Sequence, residues 1–324
     1  MTKKYLRIVL VLILLLNVQT LVLSQAKSKI VIIPKGMNGL FWKSVKMGAK
    51  LGAVALSDVE IVWKAPAAED NVDEQISIVE QYIRDDVSGI VLSPIHQTAL
   101  ATPVVKAMNK KIPVIIFDSA LKGVPGKDFI CFVGINNRKA GNLAGRHLAT
   151  LLNGRGKIVL LRYIKGQANT TEREEGFIEA IAKNENIQLT VKDCYAGGTV
   201  DDARKASKSI LDKLREADGV FCPNEMSTVG MLLTLQDSKL AGKIKFVGFD
   251  TPSSVIDALK KGEMNALIAQ DPARIGFQSV KTMVDYIRGK KIPTNIDIDV
   301  QIVTRENINN PEIQKLLVLP SVTE

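Results

Sequence analysis

This chain is constrained most by a long internal repeat. "SKIVIIPKG" (28–36) is echoed by "GKIVLLRYIKG" (156–166), "GIVLSP" (89–94) by "GVFCPN" (219–224), and "IPVIIFDS" (112–119) by "IKFVGFDT" (244–251). Gly89 and Asp118 are 29 residues apart, and Gly219 and Asp250 are 31 apart. A period this long means two copies of a domain rather than a solenoid.

Each copy alternates apolar strands with helical patterns. In the first, strands are predicted at 29–34, 59–63, 89–94 and 112–119, with helices at 40–56, 72–86 and 98–110 between them. Val72, Ile76, Val79 and Ile83 recur at helical spacing. In the second, strands are expected at 156–166, 187–194, 219–224 and 244–251, and helices at 173–184 and 200–216. Alternation of this kind makes an α/β protein, with parallel sheets covered by helices on both faces.

Asp118, Asn224 and Asp250 each stand at the C-terminal end of an apolar strand. Open parallel sheets bind ligands outside those ends, so two facing edges would make a cleft between two lobes. The competing reading of such an Asp is the N-cap of the next helix, and Asp250 before "TPSSVIDAL" fits it. Phe41 and Trp42 add a second signal. The chain has only 9 Phe, 5 Tyr and 2 Trp in 324 residues, yet two rings stand together at a strand-to-helix turn.

"MTKKYLR" followed by "IVLVLILLL" and then a small, polar stretch reads as a secretory signal over residues 1–25, with an uncleaved N-terminal anchor as the alternative. Without Lys3, Lys4 and Arg7 the net charge of +9 falls by three to +6. That excess is dispersed, which argues for solvated surface and against a nucleic-acid footprint. Cys131, Cys194 and Cys222 have no metal-ligand or disulfide-framework spacing; a Cys194–Cys222 bridge stays open, and Cys131 and Cys222 read as buried thiols. His96 is placed at a strand end and His147 in a helix, with no metal pattern around either. Lys35 and Arg162, near the first strand ends of their lobes, are read as solvated loop charges with ligand contact as the alternative, and "NTT" (169–171) as loop polarity that offers hydroxyls. No Gly-rich phosphate loop or dinucleotide fingerprint follows any strand.

A run of stretches carries a resemblance: "NGLFWKSVKMGA", "GIVLSP", "IPVIIFDS", "TEREEGF", "GVFCPNEMSTVGML", "KFVGFDT", "GEMNALIAQDPARIGFQSV" and "GKKIP", in this order. Together they resemble the periplasmic sugar-binding proteins of the ribose-binding type, the solute receptors of bacterial ABC importers. The resemblance implies two doubly wound parallel-sheet lobes joined by three hinge crossovers. One lobe would hold 28–135 and 271–299, and the other 136–270 and 300–310, with 311–324 as a tail. It implies an exported, periplasmic or cell-envelope protein that is not an enzyme and uses no cofactor or metal. Its partners would be a monosaccharide or small polyol and a membrane permease. The alternative is a receptor for a chemoreceptor or sensor kinase. A regulator of the lactose-repressor type shares the lobes but needs an N-terminal DNA-binding module where this chain has an apolar export signal.

Carried over residue by residue, the implied ligand set is Phe41, Trp42, Asp118, Arg173, Asn224, Asp250 and Gln270. Rings cover the apolar faces of a sugar, while acids, amides and a guanidinium bind its hydroxyl belt. Trp42 is the ring expected to face the sugar, with Phe41 turned partly inward. On that reading Trp42→Ala abolishes binding and leaves thermal unfolding nearly unchanged. Asn38, Ser119 and Trp63 are further candidates. Gly39 and Ser119 replace an Asn and an Arg of the ribose-type pattern, and only Tyr195 lies near the position of its third ring, which points to a ligand other than ribose.

Overall fold

A computed structural model describes residues 27–54 and 56–317; the expected export signal lies outside them. The first lobe is built from β1 (Ser28–Ile33), α1 (Gly39–Ala53), β2 (Val59–Trp63), α2 (Val72–Arg84), β3 (Gly89–Leu92), α3 (Ala101–Asn109), β4 (Val114–Phe117) and β5 (Cys131–Gly134). The chain then runs through α4 (Asn137–Leu151), β6 (Arg155–Arg162), α5 (Ala168–Ile181), β7 (Asn186–Tyr195), α6 (Val200–Ser209) and α7 (Leu211–Arg215). The second lobe continues with β8 (Gly219–Phe221), α8 (Glu225–Asp237), β9 (Lys245–Phe249), α9 (Ser253–Lys261) and β10 (Ala266–Ala269). Last come α10 (Pro272–Ile287), β11 (Asn295–Asp297), β12 (Gln301–Val303) and α11 (Pro311–Leu317).

The strands form two 6-stranded sheets, ordered β2-β1-β3-β4-β5-β11 and β7-β6-β8-β9-β10-β12. The two orders match term for term. Neighbouring strands are parallel, except that β12 runs antiparallel to β10. The chain changes sheets after β5, after β10 and between β11 and β12. Each sheet is apolar on both faces, as parallel sheets sandwiched by helices require. In β1, Ile30 and Ile32 face one core while Val31 and Ile33 face another. In β6, Ile158 and Leu160 divide from Val159 and Leu161 in the same way.

Two helix pairs, α1 with α10 and α4 with α5, approach closely because glycines leave out a side chain at the contact. A Cβ on Gly48 would meet Ala273 O at 1.8 Å, and one on Gly141 would meet Arg173 O at 1.8 Å. Two boundaries differ from expectation in ways that matter. α5 starts at Ala168 rather than 173, so "NTT" is its first turn and not a loop. The helix expected over 200–216 breaks at Ile210 (φ −111°). There Ser207 and Ser209 turn their hydroxyls back on the carbonyls of Ala203 and Ala206, both at 2.7 Å, a competition that weakens a helix.

Candidate ligand-binding site

The register equates the lobes residue by residue. Ile30 pairs with Gly89, and Ile158 with Gly219. Asp118 follows β4 and Asp250 follows β9, and both adopt left-handed backbone, φ 59° and 65°. This region is uncommon outside glycine, and Asp is among the residues that tolerate it. The amide of each bonds to the adjacent strand, Asp118 to Val133 O and Asp250 to Ile268 O, both at 3.0 Å. Both side chains are buried. Asp250 does not cap α9, whose N-cap position is Pro252. It accepts instead from Gln270 Nε2 at 2.7 Å and from the backbone N–H of Glu225 at 2.9 Å. Burial is the main cause that pushes its carboxyl above the usual range. Asn224 does cap a helix: its side chain accepts from Ser227 N at 3.3 Å in a capping box that starts α8.

Lys35 corrects the sequence reading. It is 3% exposed, not a solvated loop charge. Its ammonium lies 3.2 Å from Asp118 Oδ2 and donates to Gln167 Oε1 at 3.1 Å and Asn169 Oδ1 at 3.2 Å. Asn169 in turn donates to both Asp118 oxygens at 3.2 Å. One amide from α5 thus spans an ion pair of the first lobe. Arg162 is also no free charge; its guanidinium pairs with Glu174 Oε2 at 2.8 Å.

Trp42 and Phe41 stand edge to face, ring centroids 4.9 Å apart. Both rings line the cavity between the lobes, and Trp42, 4% exposed, is the more buried, with Phe41 half-buried. Adjacent residues on a helix point apart, and here the larger ring is the one turned inward, edge-on to Phe117. The indole Nε1–H donates to Glu69 Oε1 at 2.6 Å, and the Tyr163 hydroxyl donates to Glu69 Oε2 at 3.3 Å. Burial is the first cause raising the Glu69 carboxyl, offset in part by Lys35. Glu69, Tyr163, Gln167 and Asn169 were missed in the sequence. Lys35 and Tyr163 had a signal, since each stands five residues past the equated Ile30 and Ile158.

Arg173 joins the crossover after β5 to the crossover after β10. Its Nε donates to Asn137 Oδ1 at 2.8 Å, Nη1 to Pro223 O at 2.9 Å and Nη2 to Gln270 Oε1 at 3.2 Å. The guanidinium also lies 4.2 Å from the Phe249 ring centroid. Burial lowers its proton affinity, opposed by the charges of Asp250 and Asp118.

All seven residues of the implied ligand set, with Asn38, line one cavity of about 40 Å³ between the lobes. Ser119 and Trp63 do not line it. Ser119 is fully buried behind Asp118, and Trp63 packs beside the core with Lys46 5.7 Å from its ring. His96 turns its Nδ1 back to accept from the amides of Thr98 and Ala99. Burial lowers the proton affinity of His147. The three cysteines are free, with Cys131 and Cys222 buried and Cys194 half-buried. A larger hollow of about 800 Å³ adjoins the cavity between α1, α10 and α11. Its lining is mainly apolar, whereas acids, amides and a guanidinium from both lobes converge on the smaller space.

Comparison with known proteins agrees with this fold. The model of the periplasmic binding protein domain family matches residues 30–291. The ribose import binding protein of Salmonella typhimurium is 27% identical over 288 residues, covering 87% of this chain and 93% of the relative. An ABC transporter solute-binding protein of Agrobacterium vitis, solved with D-fucose, superposes with a TM-score of 0.87 at 29% identity, over 90% of this chain and 100% of that one. A carbohydrate transporter solute-binding protein of Agrobacterium radiobacter, in complex with D-arabinose, gives 0.86 at 28% identity, over 91% of this chain and 100% of that one.

Proposed function

The chain belongs to the periplasmic binding protein domain family, and on that premise we propose that it captures a monosaccharide or related polyol between its lobes and delivers it to an ABC importer. The observation that carries this reading is the convergence of Trp42, Asp118, Arg173, Asp250 and Gln270, drawn from both lobes and the crossover after β10, on one buried polar cavity. A ring covers an apolar sugar face, and the acids, amide and guanidinium match a belt of hydroxyls. A cavity of about 40 Å³ is smaller than a sugar ring. Entry therefore requires the lobes to part and the Lys35–Asn169–Asp118 contacts to open.

On this reading the lobes, 28–135 with 271–299 and 136–270 with 300–310, rotate about the crossovers, a hinge closure around ligand. The protein is exported through its first 25 residues and docks on a membrane permease. Asp118 and Asp250 act as hydrogen-bond acceptors, not as acid and base, since Lys35, Asn169, Gln270 and Glu225 already engage them. Uptake from dilute medium calls for affinity near micromolar, about −8 kcal/mol.

Calorimetry on the purified protein with D-fucose, D-arabinose, D-ribose, D-allose, myo-inositol and xylitol tests the reading. At least one is expected to bind near micromolar and to raise the unfolding temperature. Failure of a wider panel of monosaccharides and polyols would sink it.

A further inference from the structure

α1 begins without a cap of its own. Asn38 holds the position from which a side chain ordinarily accepts from the next two or three amides. It makes no such bond, and the first turn carries no acidic residue. The two amides concerned donate elsewhere: Leu40 N to Glu225 Oε1 at 3.1 Å and Phe41 N to Glu225 Oε2 at 3.2 Å. Glu225 is the first residue of α8, in the other lobe.

We propose that Glu225 is a closure latch, capping α1 across the cleft and so tying closure to the order of the turn that carries Phe41 and Trp42. The inference rests on reading the cleft as the ligand site, and it assigns Glu225 a positioning role beyond that reading.

Three independent features fit it. The carboxyl oxygens meet both amides, satisfying two of the donors that a helix start leaves without intrahelical partners. Gly39 makes room: its φ is +88°, and a Cβ there would stand 3.2 and 3.3 Å from the Glu225 oxygens. Any larger residue at 39 would press on the latch. Finally, Glu225 is held at its root. The Asn224 capping box fixes the start of α8, and Asp250 accepts the Glu225 N–H. Asp250 is held by Gln270, and Gln270 by Arg173. A chain of bonds therefore runs from the crossover after β10 to the turn bearing the aromatic pair.

The latch differs from a simple ligand contact in what it protects. In the open cleft the amides of Leu40 and Phe41 have no partner in the first lobe's own first turn. In the closed cleft they have Glu225.

Residue-resolved hydrogen exchange on wild type, Glu225→Ala and Glu225→Gln, with and without D-fucose or whichever panel sugar binds, tests this. Sugar is expected to slow exchange at Leu40 and Phe41 in wild type and much less in Glu225→Ala, while the later turns of α1 stay protected in both. Affinity of Glu225→Ala should fall about tenfold, mostly through faster dissociation. Glu225→Gln keeps one acceptor oxygen and should recover part of both effects. Equal protection at Leu40 and Phe41 in wild type and Glu225→Ala, in two folded proteins that bind the same sugar, would overturn the latch and leave the sugar reading intact. If no sugar binds, the sugar reading fails, and the sugar-free comparison decides the latch alone: faster exchange at those two amides in Glu225→Ala supports it, and equal exchange refutes it.

Discussion

Trp42 donates its indole N–H to Glu69 at 2.6 Å, and the Tyr163 hydroxyl reaches the other oxygen of the same carboxylate at 3.3 Å from the opposite lobe. The ring that lines the cavity is therefore oriented by an acid, and that acid is engaged by both lobes. Glu69→Ala should free the ring and leave the indole N–H of Trp42 without its acceptor, while the Tyr163 hydroxyl keeps Gly198 O at 3.4 Å. Sugar affinity is expected to fall about tenfold, since a buried donor left unpaired costs about 1–3 kcal/mol. Glu69→Gln retains an oxygen for the indole and should lose less. Trp42 fluorescence on titration with sugar reads the same change; an unaltered spectrum and affinity in Glu69→Ala would remove this role.

Burial of Trp42 revises what its removal should do. The sequence reading expected Trp42→Ala to spare stability, but the ring is 4% exposed and packs edge-on against Phe117. Truncation leaves a cavity beside β4, and large-to-small changes of this kind cost about 3–5 kcal/mol. Urea denaturation should show a clear loss, so Trp42→Phe is the cleaner probe of sugar binding. A midpoint within error of wild type for Trp42→Ala would contradict the burial.

The repeat was legible because period-2 and period-3.6 patterns and strand-end acids are local signals, and Asp118 and Asp250 were found from them. Lys35 was misread because a charge beside Pro34 looks the same whether a loop faces water or a second lobe. Glu69 sits in "KAPAAED", and nothing local says that this loop folds over Trp42. Asn169 was hidden by the late start assigned to α5. What the sequence lacked in each case was the apposition of the lobes, which decides burial and which no single segment encodes. The repeat itself held one unused clue, since the position of Lys35 after β1 is that of Tyr163 after β6.

Lys35→Met should damage the site from within. Asp118 would keep Ser93 at 3.0 Å and Asn169, but lose its buried cation. Removing one partner of a buried pair costs about 3–5 kcal/mol, more than the pair itself contributes. The expected outcome is lost sugar binding together with a lower denaturation midpoint. Asp118→Asn in the Lys35→Met background should restore part of the stability. A double-mutant cycle with no coupling would show that the ion pair is not shared.

Gly48→Ala tests the packing of α1 on α10, far from any ligand chemistry. The added methyl would overlap Ala273 O, a backbone atom that moves only if the helices separate. Overpacking of this sort costs about 1–3 kcal/mol, and here the upper end is expected. Because α1 carries Phe41 and Trp42 and α10 follows the second crossover, affinity should drop with stability. Gly289→Ala is the contrasting case: its Cβ meets nothing within 4 Å, and its cost comes only from φ +76°. Equal denaturation midpoints for Gly48→Ala and wild type would disprove the close contact.

Closure should depend on pH through Glu225. Burial, then the charge of Asp250, pushes its carboxyl up from 4.5 to about 7, while the amides of Leu40 and Phe41 pull it down. Glu69 adds a further repulsion, and no cation is among the causes. A raised carboxyl favours the closed state most fully when it is protonated. Its contribution is therefore complete below about 4.5 and is lost as pH rises through about 7. Sugar affinity is expected to weaken severalfold between pH 5.5 and pH 8, roughly the window over which the group ionises. Glu225→Gln cannot ionise and should remove its part of that profile, leaving the slopes of Glu69 and Asp250, whose carboxyls burial also raises. Affinities measured by calorimetry across this range in both proteins check the assignment, and parallel profiles would show that Glu225 does not carry the proton.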